Sequence, residues 1–262
     1  MKILALDFDG VIVDSLRDAF VTGFNAYLTL FPSTKLLDGK KITYSMIGFD
    51  FFDTDLFDRF EKLRGYVNSG EHIIVAFAAI DADKKINSQN DFDKFTEGFS
   101  KKDIKKFEKA FYDERKSLKT DIREWYKLNH VFNIIAKVIR DFKDKERLYI
   151  VTSKDKDTVF SLCKKKKLGV NENNILDRFS ELNKLKKLKQ ISKDLSIKEE
   201  DIYFIDDLLL HLLSIKENSN VNCFMASWGY NDKAQIKEAK VKGIKVLNED
   251  DFCELVQSIV SD

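Results

Sequence analysis

The sequence predicts an α/β protein whose core is a doubly wound parallel sheet, with an α-helical domain inserted near its start. Short apolar runs of strand length recur along the chain and are rich in β-branched or aromatic residues. Helical patterns separate these runs, and alternating strands and helices imply right-handed crossovers in a parallel sheet. A long stretch of purely helical patterns interrupts the alternation after the first run.

Five strands are predicted, because five apolar runs are bounded by polar residues in the manner of buried parallel strands. They are residues 3–6, 148–151, 202–205, 222–227 and 244–247. Apolar residues at helical spacing predict helices over residues 158–168 and 184–195.

The helical insertion is predicted over residues 16–125, which leaves residues 1–15 and 126–262 for the α/β core. Many of the 22 phenylalanines lie in the insertion at helical spacing, enough to build a second small core. A domain inserted at this point can close over residues at the end of the first strand.

Composition gives no reason to expect nucleic acid or a membrane as a partner. The 262 residues are 44% hydrophobic and 34% charged, and 45 basic against 44 acidic residues leave a net charge of +1. The longest apolar stretch, residues 73–80, is far shorter than the roughly 20 residues that span a bilayer. A cytoplasmic location is expected, because no leader pattern follows Met1 and the three cysteines suit reduced thiols.

Asp7 and Asp9 form the most informative feature of the chain. They follow the first predicted strand, and open α/β sheets place their ligands beyond the carboxyl ends of the strands. Both side chains point to the same side of an extended chain, where they repel unless one is protonated or a cation lies between them. A polar turn that uses Gly10 is the structural alternative.

Further motifs follow in chain order. Thr152 and Ser153 follow the second predicted strand, a lysine-rich segment begins near Lys184, and Asp206-Asp207 follow the third strand. With Asp7-Phe8-Asp9-Gly10-Val11, this order resembles the haloacid dehalogenase-like (HAD) hydrolase superfamily, specifically its phosphoglycolate phosphatase-like members with a C1-type helical cap.

The resemblance implies roles for the acidic pair. Asp7 would be the nucleophile that attacks phosphorus and becomes an aspartyl phosphate. Asp9 would be the general acid and base, which protonates the leaving alkoxide and then activates water. A dehalogenase is less well supported, because a departing halide needs no proton from Asp9.

The resemblance also implies a phosphate-binding group. The Thr152 hydroxyl and nearby backbone N–H groups, with Ser153, would hold phosphoryl oxygens at a helix N-terminus. An ordinary N-cap is the alternative, for which Ser153, Asp155 and Asp157 are also candidates. Lys184 is the favoured phosphate-site lysine, and Lys186 and Lys187 stay open.

The implied cofactor is Mg²⁺, held by Asp7, the backbone carbonyl of Asp9 and the Asp207 carboxylate, with Asp206 nearby. His211 stands near the position where the family often has another acid. The segment 227–230, Ser-Trp-Gly-Tyr, resembles a loop of phosphoglycolate phosphatase-like members. Possible contacts to anionic substrate groups are Arg17, Arg59, Lys62, Arg64 and Lys154.

The expected function is a Mg²⁺-dependent phosphatase that acts on a small-molecule phosphate monoester. A phosphosugar mutase shares these motifs, and a noncatalytic phospholigand-binding protein can retain the fold. The sequence leaves the substrate and the oligomeric state open.

Overall fold

The computed structural model of the chain describes residues 1–178 and 183–260, which form two compact units. The core unit comprises Met1–Asp14 and the chain from His130 onwards, and the helical unit comprises Ser15–Asn129. The units divide at residues 14/15 and 129/130, whereas the sequence pattern predicts these boundaries at 15/16 and 125/126.

Among the described residues, a six-stranded parallel sheet forms the centre of the core unit, which confirms the predicted fold class. In spatial order its strands are β5 (Ile175–Leu176), β4 (Leu148–Val151), β1 (Ile3–Leu6), β6 (Ile202–Asp206), β7 (Asn222–Ala226) and β8 (Lys245–Leu247). A separate antiparallel pair consists of β2 (Val13–Asp14) and β3 (His130–Val131). All five predicted strands are present, and β5 was not predicted because two residues make no recognisable apolar run.

The strand order identifies where a ligand site is expected. Numbered by their order along the chain, the six strands lie in the spatial order 3-2-1-4-5-6, the doubly wound arrangement whose direction reverses between β1 and β6. Ligands of such sheets bind beyond the carboxyl ends of the strands at this reversal. The residues that follow β1 and β6 therefore lie at the expected position.

Within residues 15–129, all of which the structure describes, the helical unit contains six α-helices. They are α1 (Leu16–Leu30), α2 (Asp55–Arg64), α3 (Gly70–Asp81), α4 (Gln89–Thr96), α5 (Lys101–Leu118) and α6 (Ile122–Lys127). Aromatic packing fills the interior, where Phe60 and Phe77 stack with ring centroids 4.9 Å apart. Gly23 permits close packing of α1 on α3, because a Cβ there would lie 2.2 Å from Ile73.

Asp18 is a buried carboxylate that ties three helices of the helical unit together. It accepts hydrogen bonds from the Trp125 indole at 2.8 Å and the Thr22 hydroxyl at 3.0 Å, and it pairs with Arg115 at 3.1 Å. A buried charge is tolerated when it is paired and hydrogen-bonded in this way. Asp18 therefore has a structural role in joining α1, α5 and α6.

Six further helices in the described part of the core unit flank the sheet. They are α7 (Asn133–Asp141), α8 (Lys156–Lys165), α9 (Lys184–Asp194), α10 (Leu209–Asn218), α11 (Lys233–Val241) and α12 (Glu249–Val260). The buried faces of α9 and α10 pack on β1, β6 and β7 through Leu188, Ile191 and Leu212. Across residues 1–178 and 183–260, no helix combines the length and the apolar character that a membrane span requires.

Candidate active site

The sheet backbone positions the first residues of the site directly. The backbone N–H of Asp7 donates to the carbonyl of Ile205 in β6 at 2.9 Å, and that of Thr152 donates to the carbonyl of Leu176 in β5 at 3.0 Å. Asp206 is the last residue of β6. Strand pairing therefore extends to each of these residues, which fixes where their side chains begin.

Lys184 joins two of the acids. Its Nζ lies 2.8 Å from Oδ2 of Asp7 and 2.7 Å from Oδ2 of Asp206, and all three residues are buried. Burial lowers the pKa of Lys184, but the carboxylates of Asp206 and Asp7 raise it by more, so that it stands above its usual range. Lys184 therefore carries a firmly held positive charge.

Asp206 is the ionised counter-ion of this lysine. Burial raises its pKa, but Lys184 and His211 lower it by more, and the net pKa is well below its usual range. Its Oδ2 also lies 3.1 Å from Nδ1 of His211, and its Oδ1 accepts the backbone N–H of Leu208 at 3.1 Å. The resemblance singled out His211 because related proteins often have another acid near this position. In the structure His211 lies in the site as a partner of Asp206.

Asp7 is a buried acid whose negative charge is incompletely compensated. Burial raises its pKa, Lys184 lowers it, Asp206 raises it again, and the net pKa lies above its usual range. Its Oδ1 is buried and has no hydrogen-bond partner among the described residues. A buried carboxylate oxygen in that state is costly, and a cation beside it would relieve the cost.

The donor set around Asp7 fits such a cation. Asp7, Asp206 and Asp207 each place one carboxylate oxygen in a group whose atoms all lie within 4.8 Å of one another. Oxygen ligands of this kind suit a hard divalent cation such as Mg²⁺. Both oxygens of Asp206 already accept hydrogen bonds, so Asp7 and Asp207 are better placed to hold the ion. The carboxylate of Asp9 does not belong to this group.

Asp9 has a lysine of its own. Nζ of Lys154 lies 2.9 Å from Oδ1 and 3.3 Å from Oδ2 of Asp9, and the Lys154 side chain is 2% exposed. Gly10 follows with φ at +81°, a conformation that glycine adopts without strain. A Cβ at Gly10 would also lie 2.1 Å from Oδ2 of Asp207. The polar turn at Asp9-Gly10, which the sequence offered as a structural alternative, is therefore formed. In this turn the Asp9 carboxylate lies beside Lys154.

In residues 152–155, between β4 and α8, the residue that caps the helix is different from the candidate phosphate-binding residues. Asp155 caps α8 with its side chain, which accepts a backbone N–H of the first turn at 2.9 Å. The cap is therefore supplied by Asp155 and not by Thr152 or Ser153. Oγ1 of the buried Thr152 accepts the backbone N–H of Lys154 at 3.2 Å, and Ser153 is half-buried.

The three candidate lysines of α9 have different surroundings. Lys184 contacts the acids, Lys186 is exposed, and Lys187 is buried with its Nζ 2.8 Å from the carbonyl oxygen of Thr152. Burial, followed by the positive charge of Lys184, lowers the pKa of Lys187 to about 8. Only Lys184, of these three, is in contact with Asp7.

Four of the five cations suggested as substrate contacts lie in the helical unit: Arg17, Arg59, Lys62 and Arg64. Arg59 pairs with Asp83 at 2.8 Å, and Arg64 is buried and donates to the backbone carbonyl of Val67. Lys154 lies in the core unit and contacts Asp9.

Sequence reasoning did not foresee the contact between Lys154 and Asp9. The position of Lys154 could have indicated this contact, because Lys154 lies two residues beyond Thr152, just after the end of β4.

The six-stranded parallel sheet with its flanking helices is also the fold of solved haloacid dehalogenase-like hydrolases. The chain has this fold. No protein-family model and no curated protein matches the sequence, so the likeness is one of structure.

Three similar solved structures illustrate the likeness. Two are provisionally named phosphoglycolate phosphatases: one from Lactobacillus delbrueckii subsp. bulgaricus (15% identity, TM-score 0.64, covering 99% of each chain) and one from Haemophilus somnus 129PT (15% identity, TM-score 0.61, covering 97% of each chain). The third is a haloacid dehalogenase-like family hydrolase from Streptococcus pneumoniae (16% identity, TM-score 0.58, covering 95% of this chain and 93% of the other). At these identities the comparison establishes the fold.

Proposed function

We propose that this chain is a Mg²⁺-dependent phosphatase that hydrolyses a small phosphate monoester through an aspartyl phosphate on Asp7. The observation that carries the proposal is the setting of Asp7. Lys184 pairs with its Oδ2, its Oδ1 is buried without a hydrogen-bond partner among the described residues, and Asp207 lies beside it. An attacking carboxylate needs positive charge that offsets an approaching phosphate, which Lys184 supplies at Oδ2 and a cation would supply at Oδ1.

The reaction assigns separate tasks to the two acids. An oxygen of Asp7 attacks phosphorus and the bond from phosphorus to the leaving oxygen breaks, while Asp9, which enters this step protonated, gives its proton to the leaving alkoxide. In the second step Asp9 takes a proton from water as the water oxygen attacks phosphorus, and the bond between phosphorus and the Asp7 oxygen breaks. Inorganic phosphate leaves, Asp7 is regenerated, and Asp9 is again protonated. Lys154 offsets the charge of Asp9 once the proton has left.

Phosphoryl oxygens are held by Thr152, Ser153 and Lys184 in this proposal. Thr152 and Ser153 lie between the end of β4 and the first turn of α8, and the cap of that helix is Asp155 and not either of their hydroxyl groups. Lys184 reaches Asp7 directly, so its ammonium offsets negative charge on both the nucleophile and the phosphoryl group.

The residues that would hold Mg²⁺ are Asp7 and Asp207, with the backbone carbonyl of Asp9. We assign Asp206 to charge balance, because it already binds Lys184 and His211. Bound Mg²⁺ would supply positive charge that neutralises the phosphoryl oxygens during transfer.

We assign substrate choice to the helical unit in the role of a cap, because the site residues of the core unit are assigned only to binding the phosphoryl group and the cation. Two of the similar structures bear the name of a phosphoglycolate phosphatase, which supports a small phosphorylated molecule as the substrate class. A net charge of +1 gives no support to a nucleic-acid or membrane partner, and a cytoplasmic location belongs to the same proposal.

The proposal is tested by measuring phosphate release from a panel of phosphorylated metabolites with Mg²⁺. Wild type is compared with Asp7→Asn and Asp9→Asn, and with Asp250→Asn as a control on an exposed acid of α12. We expect turnover in wild type and in the control, and its loss in the two site variants.

Hydrolysis by Asp7→Asn at the wild-type rate would reject the proposal. An isomerised sugar phosphate as the product, formed only with a bisphosphate activator, would identify a mutase instead.

A further inference from the structure

The turn that follows β7 contacts both Asp207 and the loop that follows β1. The backbone N–H of Tyr230 donates to Oδ2 of Asp207 at 2.7 Å, and its phenol hydroxyl donates to Oδ1 of Asp14 at 2.9 Å. The indole N–H of Trp228 donates to the carbonyl of Val11 at 3.0 Å. One short segment thus connects residues that follow two different strands, β1 and β6.

Glycine allows the turn to approach Asp207 this closely. A Cβ on Gly229 would lie 2.3 Å from the Cβ of Asp207 and 2.5 Å from the carbonyl oxygen of Gly10. Atoms that are not bonded do not come so near, so a larger residue at position 229 would displace Asp207 or the turn. The turn and Gly10 therefore enclose the Asp207 carboxylate and restrict its orientation.

Asp14 occupies a particular place in the chain. It is the last residue of the core unit before the chain enters the helical unit, and in the β2–β3 pair it lies opposite His130, the first residue after the chain returns. The Tyr230 hydroxyl thus binds the residue at which the chain leaves the core unit.

We propose that Tyr230 is a positioning residue that links cation binding at Asp207 to the β2–β3 pair at Asp14. Its backbone N–H orients the carboxylate that would hold the cation, and its hydroxyl fixes the position of the turn relative to Asp14. Because one residue makes both contacts, loss of the hydroxyl bond loosens the other, and coupling of this kind is reciprocal. The inference rests on the proposed function, since it requires that Asp207 holds a divalent cation.

Mn²⁺ provides a direct probe, because electron paramagnetic resonance reports the free ion without any turnover. We expect Tyr230→Phe, which keeps the ring and the backbone N–H, to bind Mn²⁺ roughly fivefold more weakly than wild type, at the low end of typical coupling between sites. Tyr203→Phe is the matched control, because Tyr203 lies in β6 and stacks on Phe224, away from these contacts. Thermal unfolding of each variant separates an effect on binding from a loss of fold.

A second pair of variants tests the route of the coupling. Asp14→Ala should weaken Mn²⁺ binding to a similar degree, and adding Tyr230→Phe to it should produce little further loss, because both remove the same bond. Gly229→Ala should weaken binding by roughly tenfold or more, as is usual when an outer contact of a metal ligand is disturbed.

The outcomes distinguish the two proposals. A wild-type protein that binds no Mn²⁺ would reject the proposed cation site itself. Wild-type binding that Tyr230→Phe leaves unchanged would overturn the coupling and leave the proposed function intact. Fully additive losses for Tyr230→Phe and Asp14→Ala would also overturn it.

Discussion

Lys154 and Asp9 form an ion pair in which Nζ lies 2.9 Å from Oδ1 and 3.3 Å from Oδ2 of the carboxylate. Lys184 holds Asp7 at 2.8 Å, so each acid of the pair has a separate lysine. This division suits two carboxylates with different tasks, since nearby acids take different roles when their surroundings differ. It also makes the two lysines separately testable.

Lys154→Met should lower kcat by roughly tenfold to a hundredfold, because Asp9 would lose the cation that holds it, and general acid–base catalysis is commonly worth about 10²–10⁴ in rate. We expect a smaller change in KM, because Thr152 and Lys184 would still bind the phosphoryl group. Steady-state kinetics on the best substrate measure both. Lys189→Met, on the exposed face of α9, is the control. An unchanged kcat in Lys154→Met would show that Lys154 does not assist Asp9 in the reaction.

Lys184→Met should be both inactive and unstable. The substitution leaves Asp7 and Asp206 buried without their shared ammonium, and breaking a buried ion pair typically costs about 3–5 kcal/mol. Denaturant unfolding should show this loss, whereas Lys186→Met, at an exposed position, should stay within about 0.5 kcal/mol of wild type. Adding Asp206→Asn to Lys184→Met should recover part of the stability, because it removes one of the two buried negative charges that lose their partner.

If Lys184→Met unfolds with wild-type free energy, the paired geometry does not persist in solution. If Lys186→Met loses activity instead, the phosphate-site lysine has been assigned to the wrong position.

The strand ends could be predicted from sequence because apolar runs and polar residues alternate sharply there. The runs before Asp7, Thr152 and Asp206 have strand length, and parallel pairing brings their ends to one edge of the sheet. The two-residue strand Ile175–Leu176 could not be predicted, because its pairing with β4 is determined by tertiary packing. The same reason applies to β2 and β3, which pair across 115 intervening residues of the helical unit.

The charge arrangement of the site was less accessible to sequence reasoning. A motif places Lys184 near the phosphate site, but it does not show that Asp206 also contacts His211 and thereby balances this lysine. Similarly, Tyr230 lies 23 residues beyond Asp207 in the sequence, and the hydrogen bond from its backbone N–H to the Asp207 carboxylate is evident only in the folded structure. Such contacts depend on side-chain directions at the ends of separate elements, which local patterns do not encode.

Lys187 predicts a particular dependence of stability on pH. Burial, with Lys184 nearby, lowers its pKa from 10.5 to about 8. Between these two values the unfolded chain holds the proton that the folded chain has released, so raising the pH through this range favours the folded state. Relative to Lys187→Met, wild type should therefore gain up to about 1.4 kcal/mol of unfolding free energy for each pH unit. Denaturant titrations of both proteins from pH 7 to 10.5 measure the difference, and a constant difference would contradict the shifted pKa.

Mg²⁺ should stabilise the wild-type protein and should not stabilise Asp7→Asn. A ligand that binds only the folded state adds about 2.7 kcal/mol when its concentration is a hundred times its Kd. Without Mg²⁺, Asp7→Asn should be at least as stable as wild type near neutral pH, because the pKa of buried Asp7 is raised and its ionised form therefore opposes folding.

Unfolding curves with and without Mg²⁺ measure both effects, and a chelator should reverse the wild-type gain. Asp250→Asn, at the exposed control position, should respond to Mg²⁺ as wild type does. An equal gain in Asp7→Asn would place the ion elsewhere in the protein. A wild-type protein without any gain would remove the cation from the proposed mechanism.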